Sequence, residues 1–249
     1  MELVKTKSFE LATFSKGNQE SRRLAILMPG RLDTKDYINF VSHAEYLASR
    51  DFYVVAFDPP GTWESPGGVE LFTTTNYIKA TDELIEYFGK KPTLLLGHSR
   101  GAAVAILVGE SNPAVIGIVS VMANFGTPTA PDEAAVQKGY EDGLRDMPPG
   151  ASATNEQKAF KLPIAYWEDG KQHNAGQTLK TCMKPKLLIY GTEDEFTPPS
   201  EVKKLYEAIP EPKIMKEIRS THDYRYYPEA IEEANKTIGQ FLEKYIVST

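Results

Sequence analysis

The chain has 249 residues, a formal net charge of −6 and one cysteine. This length suits one α/β domain with an insertion, and the acidic balance without a basic run argues against nucleic acid or an anionic membrane as a partner. The single cysteine, Cys182, excludes an intrachain disulfide framework and cysteine-rich zinc sites. The N-terminal stretch lacks the apolar run of a signal peptide and no segment approaches 18 apolar residues, so we expect a cytoplasmic protein with no membrane association.

The first 60 residues predict an edge of antiparallel strands followed by a β-α-β unit. Residues 1–20 alternate loosely, which is typical of short antiparallel strands. Residues 24–28 and 52–57 are continuous apolar runs, as expected of strands that are buried on both faces. Between them, from Asp36 onward, apolar residues recur with helical spacing. The loops after the two strands begin Pro29-Gly30 and Asp58-Pro59-Pro60-Gly61.

The rest of the chain continues this alternation, apart from a polar stretch at 125–181 that contains short helical segments and no good strand. The predicted elements in order are a helix at 75–88, a strand at 94–96, a helix to about 110, a strand at 115–122, a strand at 186–190, a helix at 200–208, a strand at 214–218 and a final amphipathic helix from Pro228. Alternating strands and helices predict a largely parallel sheet covered on both faces. Ligand chemistry in such a sheet collects at the carboxyl ends of the strands.

A serine between two glycines connects the strand at 94–96 to the next helix, in the sequence Gly97-His98-Ser99-Arg100-Gly101. So tight a turn exposes the serine, forces it to a positive φ and leaves no room for a Cβ at either glycine. The turn also lies at a helix N-terminus, where free N–H groups favour negative charge. This G-x-S-x-G pattern predicts Ser99 as a nucleophile; the alternative is a turn serine with no chemistry.

The candidate base is one of four histidines. His222 follows the last predicted strand, where it can reach Ser99. His43 lies in the middle of a helix and is expected to be partly exposed, while His98 is expected to point away from its neighbour Ser99. His173 lies in the polar stretch and is expected to be solvated. The sequence therefore favours His222 as the base.

The candidate acid is Asp194, which follows the strand at 186–190 in a turn closed by Pro198. An acid is needed to fix the tautomer of the base and to stabilise its imidazolium form. Because Glu193 and Glu195 flank Asp194, the assignment could shift by one residue, and an exposed acidic turn is the alternative without function. Asp58 is a second candidate, although its place before Pro59 suits a turn better.

The chain order Ser99, Asp194, His222 resembles that of the α/β-hydrolase superfamily, and the resemblance covers the whole chain. It implies an α/β-hydrolase fold, with a mostly parallel twisted sheet of about eight strands and helices on both faces. It also implies a core formed by 1–124 and 182–249 and a helical cap at 125–181. The backbone N–H groups of Arg31 and Arg100 would form the oxyanion hole. The chain departs from many members of the superfamily at Pro29, where they have a histidine.

The resemblance implies a serine hydrolase, carboxylesterase-like and of class EC 3.1.1, acting on a small soluble carboxylic ester or thioester through an acyl-enzyme on Ser99. The expected partner is a small-molecule substrate, with neither a metal nor a cofactor, and the chain is expected to be a monomer or a homodimer. Hydrolysis of a C–C bond, a lactone or an N-terminal peptide bond remains open, as does a non-catalytic ligand receptor on the same fold.

Two sets of residues are candidates for contact with the substrate. The aromatic set includes Phe125, Tyr166 and Trp167 of the cap, which either line a pocket or form the small core of the cap. It also includes Trp63, in the loop after Asp58, as a candidate wall of the pocket. The second set is Arg31 and Arg100. Either both arginine side chains turn outward and pair with surface acids, or one of them receives an anionic group of the substrate.

Overall fold

A computed structural model describes residues 1–126 and 130–247, and within them the chain forms ten strands and eight α-helices. The strands are β1 (Glu2–Lys5), β2 (Glu10–Lys16), β3 (Arg23–Met28), β4 (Phe52–Phe57), β5 (Thr93–His98), β6 (Val115–Val121), β7 (Tyr140–Asp146), β8 (Gln157–Pro163), β9 (Lys186–Gly191) and β10 (Lys213–Ile218). The helices are α1 (Ile38–Ala48), α2 (Thr74–Tyr87), α3 (Arg100–Ser111), α4 (Glu133–Lys138), α5 (Ala165–Gly170), α6 (Ala175–Leu179), α7 (Pro199–Ala208) and α8 (Pro228–Tyr245).

Eight of these strands form one sheet in the order β1-β2-β4-β3-β5-β6-β9-β10. Strand β2 pairs antiparallel with β1 and with β4, and every other pair in this sheet is parallel. The predicted fold class is confirmed, including the antiparallel edge and the number of strands. Strand β5, which leads to Ser99, lies between β3 and β6 near the middle of the sheet, so its carboxyl end is surrounded by loops from both sides.

Both faces of the sheet are covered because the central strands carry apolar side chains on both faces. All six residues of β4 and of β5 are buried. One apolar core lies between the sheet and helices α1 and α8, and it includes Phe40 and Phe241. The other core lies under α2 and α3 and includes Tyr77 and Val104. This burial fixes β5 and α3, the two elements that flank Ser99.

The insertion at 125–181 differs from its prediction, because it contains strands as well as helices. Strands β7 and β8 form an antiparallel hairpin in which Tyr140 pairs with Pro163 and Asp146 with Gln157. In β8, the exposed residues Ala159 and Lys161 alternate with Phe160 and Leu162, which are buried in the core under α2 and α3. The expectation that the stretch holds no strand is therefore wrong: the alternation is short, and lysines interrupt the apolar residues. A division of the chain into core and cap stays a prediction.

The expectation for His43 is also wrong: its side chain is fully buried between α1 and α8. Its Nδ1 atom lies 2.6 Å from Oδ1 of Asn235, and its Nε2 atom lies 2.8 Å from the hydroxyl of Tyr224. Burial disfavours the charged ring and lowers the pKa of His43 to about 4, although the contact with Asn235 opposes this shift. Helix α8 covers this face of α1, and only the fold brings the two helices together.

Among the described residues, no helix combines the length and the apolar character that crossing a membrane requires.

Candidate active site

Ser99 occupies the turn between β5 and α3 with a φ of 51° and a ψ of −115°, a strained conformation for a residue other than glycine. A Cβ atom on Gly97 would overlap the backbone of Gly101, and a Cβ atom on Gly101 would overlap the carbonyl oxygens of Met28 and Pro29. Both glycines are therefore required by the close approach of α3 to the ends of β3 and β5. The predicted positive φ at Ser99 is confirmed.

The structure brings Ser99, His222 and Asp194 together, although they come from three separate loops. The Nε2 atom of His222 lies 2.8 Å from Oγ of Ser99. Its Nδ1 atom lies 3.0 Å from Oδ1 and 3.1 Å from Oδ2 of Asp194. Because a carboxylate accepts hydrogen bonds, Nδ1 carries the proton, and Nε2 is then free to accept the proton of the serine hydroxyl.

Asp194, rather than either flanking glutamate, faces the imidazole. Its Oδ1 atom also accepts hydrogen bonds from the backbone amides of Phe196 and Thr197, at 2.9 Å and 3.0 Å. Burial alone would raise the pKa of Asp194, but the hydrogen bonds from His222 and these amides lower it below its usual value. Glu195 accepts a hydrogen bond from the backbone amide of His222 at 3.1 Å, so it braces the same loop.

The two candidate oxyanion donors, Arg31 and Arg100, belong to neighbouring loops. Arg100 is the first residue of α3, where a backbone N–H has no acceptor within the helix. Arg31 follows Gly30 in the loop after β3, and β3 is hydrogen-bonded to β5. Both residues border the same cavity as Ser99. Their role as oxyanion donors remains a prediction.

A cavity of about 390 Å³ opens over Ser99 and His222. Of the four aromatic candidates, Tyr166 and Trp167 border it, whereas Trp63 and Phe125 do not. The indole N–H of Trp63 instead donates to the carbonyl of Leu32 at 2.8 Å, and its ring packs against Tyr37 and Phe160. The backbone carbonyl of Phe125 accepts a hydrogen bond from Gly176. Trp63 therefore links the insertion to the rest of the chain, whereas the bond of Phe125 lies within the insertion.

A network that the sequence did not reveal lies behind the loop that carries Arg31. Arg145 of β7 donates from Nε to the carbonyl of Arg31 at 2.9 Å and lies 3.2 Å from Oδ1 of Asp33. Oδ2 of Asp33 is 3.4 Å from Nδ1 of His98, whose Nε2–H donates to the carbonyl of His222 at 3.0 Å. The network therefore connects the hairpin, the loop of Arg31 and the loop of His222.

Charges account for the pKa values within this network. Burial opposes the charged form of both groups, but the contact with Asp33 raises the pKa of His98, and the contacts with His98 and Arg145 lower the pKa of Asp33. The position of Asp33 in the loop after β3 could have identified it from the sequence as a residue near the site. Nothing comparable marked Arg145, since the hairpin that carries it was not predicted.

The remaining sequence candidates lie outside the cavity lining. Asp58 is fully buried and accepts hydrogen bonds from the hydroxyl of Thr34 and the amide of Lys35, both at 2.9 Å. His173 is partly buried rather than solvated, and its Nε2 atom lies 2.9 Å from the hydroxyl of Thr75. Both residues therefore serve the packing of loops and helices.

One acidic trio of the described chain, Asp36, Asp58 and Glu64, has carboxylate oxygens close enough to share a cation. The ammonium of Lys35 is bonded to all three, at 2.6 Å, 3.0 Å and 2.6 Å. A protein cation therefore already fills the place that a metal ion would take.

Known proteins resemble this chain over nearly its whole length. Palmitoyl-protein thioesterase ABHD10, a mitochondrial protein of Bos taurus, is 19% identical over 224 residues, which cover 88% of this chain and 72% of the relative. The structure of Est1E from Butyrivibrio proteoclasticus with bound ferulic acid superposes with a TM-score of 0.77 at 16% identity, covering 99% of this chain and 100% of the other. A monoacylglycerol lipase of Paleococcus ferrophilus gives 0.74 at 22% identity, covering 95% and 99%.

The model of one family, described as the alpha/beta hydrolase family, matches residues 26–234. That range begins within β3 and ends within α8, so it includes the serine turn, the insertion and the loops of Asp194 and His222. The match extends over more than half of the sequence, and the sheet order agrees with it. This protein therefore belongs to the alpha/beta hydrolase family.

Proposed function

We propose that this protein is a serine hydrolase that cleaves a small carboxylic ester or thioester through an acyl-enzyme on Ser99. The observation that carries the proposal is the contact of 2.8 Å between Oγ of Ser99 and Nε2 of His222, together with the contact of 3.0 Å between Nδ1 of His222 and Asp194. A serine hydroxyl becomes a useful nucleophile only beside such an oriented base.

In the first half-reaction, Nε2 of His222 takes the hydroxyl proton as Oγ of Ser99 attacks the carbonyl carbon of the substrate. Asp194 stabilises the imidazolium that forms and keeps the ring oriented. The backbone N–H groups of Arg31 and Arg100 donate to the carbonyl oxygen as it becomes negative. When the tetrahedral intermediate collapses, the bond to the leaving group breaks, and His222 protonates the departing alcohol or thiol.

The second half-reaction repeats these steps with water. His222 removes a proton from water, the resulting hydroxide attacks the acyl carbon, and the same two amides hold the oxyanion. Collapse breaks the bond to Oγ, releases the carboxylic acid and returns the proton from His222 to Ser99. The protein itself supplies each proton acceptor and donor that these steps need.

The names of the relatives favour an ester or thioester over the other bonds that a triad can cleave, and the cavity favours a small substrate. A volume of about 390 Å³ lies near the lower end of ligand sites, which span about 300–1,000 Å³. The relatives named above are called a thioesterase and a monoacylglycerol lipase. We therefore propose a carboxylesterase-like activity of class EC 3.1.1, with a thioesterase as its near relative and hydrolysis of a lactone, a C–C bond or an N-terminal peptide bond as the alternative. A cytoplasmic location and a monomeric or homodimeric state remain predictions.

A fluorophosphonate probe distinguishes this enzyme from a receptor that only binds its ligand. We expect one adduct per chain by intact-mass analysis, with the modified peptide containing Ser99. The Ser99→Ala variant will not be labelled, whereas Ser111→Ala, which removes an exposed hydroxyl at the far end of α3, will be labelled like the wild type. Absence of the adduct on wild-type protein that is fully folded would favour the receptor.

Turnover gives a second measure of the same proposal. Hydrolysis of p-nitrophenyl butyrate by Ser99→Ala should fall by about 10⁴-fold or more, because the loss of a triad nucleophile removes nearly all of the catalysis that the triad provides. Equal rates for Ser99→Ala and the wild type would rule out Ser99 as the nucleophile.

A further inference from the structure

We propose that the substrate carries a carboxylate and that the side chain of Arg100 binds it. The inference rests on the proposed function, since it concerns the ligand of the same cavity. It assigns the guanidinium of Arg100 a role separate from that of its backbone N–H. The sequence left open whether both arginine side chains pair with acids, and of the two only Arg31 does so among the described residues.

Arg100 is held in place at the cavity wall beside Ser99. Only 6% of the residue is exposed, and it borders the cavity. Its Nε–H donates to the hydroxyl of Tyr166 at 3.1 Å, and its Cζ atom lies 5.9 Å from the centre of the same ring. Since Tyr166 is itself buried in α5, the guanidinium plane is fixed before any ligand arrives.

Arg100 is the cavity arginine that has no acidic partner in the described parts of the chain. The cavity is bordered by four arginines, and the other three form ion pairs. Arg31 lies 3.3 Å from Glu141, Arg145 lies 3.2 Å from Asp33, and Arg225 lies 3.0 Å from Asp146. No described carboxylate is within 4.0 Å of Arg100, and neither of its terminal NH₂ groups has a described acceptor at hydrogen-bond distance.

An uncompensated guanidinium in this position is unfavourable for the empty protein. Arginine stays protonated throughout the accessible pH range, so the group cannot become neutral as a buried histidine can. Desolvation of the charge costs free energy that no described carboxylate offsets. The start of α3 adds to the cost, because a helix N-terminus disfavours cations. An anionic ligand would relieve both effects.

The geometry of the group points to the class of anion. The two free NH₂ groups of a guanidinium form a planar fork that matches the two oxygens of a carboxylate. This fork belongs to Arg100, the residue next to Ser99, and both residues border a cavity of about 390 Å³. The carboxylate and the scissile carbonyl therefore belong to one small molecule. We therefore infer a carboxylated ester or thioester rather than a long neutral acyl chain.

The test compares esters that differ only in charge. We would measure kcat/KM for 4-acetoxybenzoate and for its neutral counterpart 4-acetoxybenzamide, then for phenyl hemiadipate and phenyl hexanoate, which place the charge on the acyl side. The wild type should prefer the carboxylated member of at least one pair by about 10- to 100-fold, the range expected of a hydrogen-bonded charge. Preference for 4-acetoxyphenyl phosphate over 4-acetoxybenzoate would overturn the choice of carboxylate.

Variants assign the preference to one side chain. In Arg100→Met the ratio of kcat/KM between charged and neutral esters should fall by about 10- to 100-fold, whereas Arg100→Lys should keep part of it. Arg31→Met is the matched control, since it removes a paired arginine at the same cavity, and its ratio should change by less than about threefold. Equal losses on charged and neutral esters in Arg100→Met would overturn the inference.

Inhibition of the wild type supplies a readout that needs no variant. Benzoate should compete with p-nitrophenyl butyrate at lower concentrations than benzamide does, and equal inhibition would contradict a carboxylate site. The two proposals can fail separately. A wild type that is labelled at Ser99 but shows no charge preference would reject the anion site alone, whereas an unlabelled wild type would reject the serine hydrolase.

Discussion

Two buried cations near the carboxyl edge of the sheet differ in the number of carboxylates around them. Lys35, in the loop after β3, is fully buried and its ammonium contacts Asp36, Asp58 and Glu64 at 3.0 Å or less. Arg100, directly after Ser99, is nearly as buried and has no described carboxylate within 4.0 Å. Three carboxylates therefore surround Lys35, whereas the described residues offer none to Arg100. The contrast distinguishes a cation paired within the fold from one for which we propose an anionic ligand.

The charge of Lys35 is maintained by its neighbours. Burial alone would lower the pKa of Lys35, but the charge of Asp58 and the hydrogen bonds to Asp36 and Glu64 raise it. The carboxylate of Asp58 is fully buried as well, and Lys35 is its cation. Removal of Lys35 leaves this carboxylate uncompensated, which is the costly case for a buried ion pair, whereas removal of Asp58 leaves Lys35 with Asp36 and Glu64.

The largest effect on stability is expected at Lys35. Lys35→Met should lower the free energy of unfolding by about 3–5 kcal/mol, because it leaves the buried carboxylate of Asp58 without its cation. Urea denaturation at pH 7 measures this loss. The double variant Lys35→Met with Asp58→Asn is the control, and it should recover a large part of the stability. A loss of less than about 1 kcal/mol in the single variant would show that the acidic cluster does not depend on Lys35.

His43 represents a third way to bury a basic group, which is to keep it neutral. Its pKa is about 4 in the folded chain, against an ordinary value of 6.5. Between pH 6.5 and 4 the unfolded chain binds a proton that the folded chain does not, so stability falls as the pH falls through this window. The difference amounts to about 3 kcal/mol.

Urea denaturation of the wild type and of His43→Gln at several pH values between 7 and 4 measures this contribution. The wild type should lose about 3 kcal/mol more than the variant over the interval. Glutamine retains polar atoms that can face Asn235 and Tyr224 but does not titrate. Curves that run parallel would show that His43 accepts a proton as readily in the folded chain as in the unfolded one.

The smallest effect on stability is expected at Arg100. Arg100→Met should change the free energy of unfolding by no more than about 1 kcal/mol and can raise it, because the substitution removes a desolvated charge without stranding an acid. Thermal unfolding of the variant beside Lys35→Met measures the contrast directly. A loss as large as that of Lys35→Met would mean that Arg100 stabilises the fold, and the comparison between the two cations would fail.

The sequence predicted those parts of the structure that depend on local patterns. Apolar runs and helical spacing located the main sheet, and the glycines around Ser99 predicted its positive φ, because a tight turn leaves no alternative. The contact among Ser99, Asp194 and His222 followed from their places after three parallel strands, whose carboxyl ends meet at one edge. The observed contacts agree with that expectation, while the roles of these residues remain proposals.

Contacts that depend on distant segments could not be predicted. Whether Arg31 and Arg100 face acids depends on Glu141 and Tyr166, both of which belong to the insertion. The hairpin was missed because charged residues dominate β7 and lysines interrupt the short apolar pattern of β8. No sequence pattern marks Lys35, since two of the anions that surround it lie in another loop, after β4.

The bond from Arg145 to the carbonyl of Arg31 has a consequence for any attempt to re-engineer this protein. The hairpin over the site is a structural support of the segment that carries a proposed oxyanion donor, so it is more than a cover that could be exchanged freely. A chimaera that takes its hairpin from another hydrolase would leave that segment without a brace unless the graft also supplies a guanidinium at the position of Arg145. Altered substrate range and weakened catalysis would then appear together, from a single exchange.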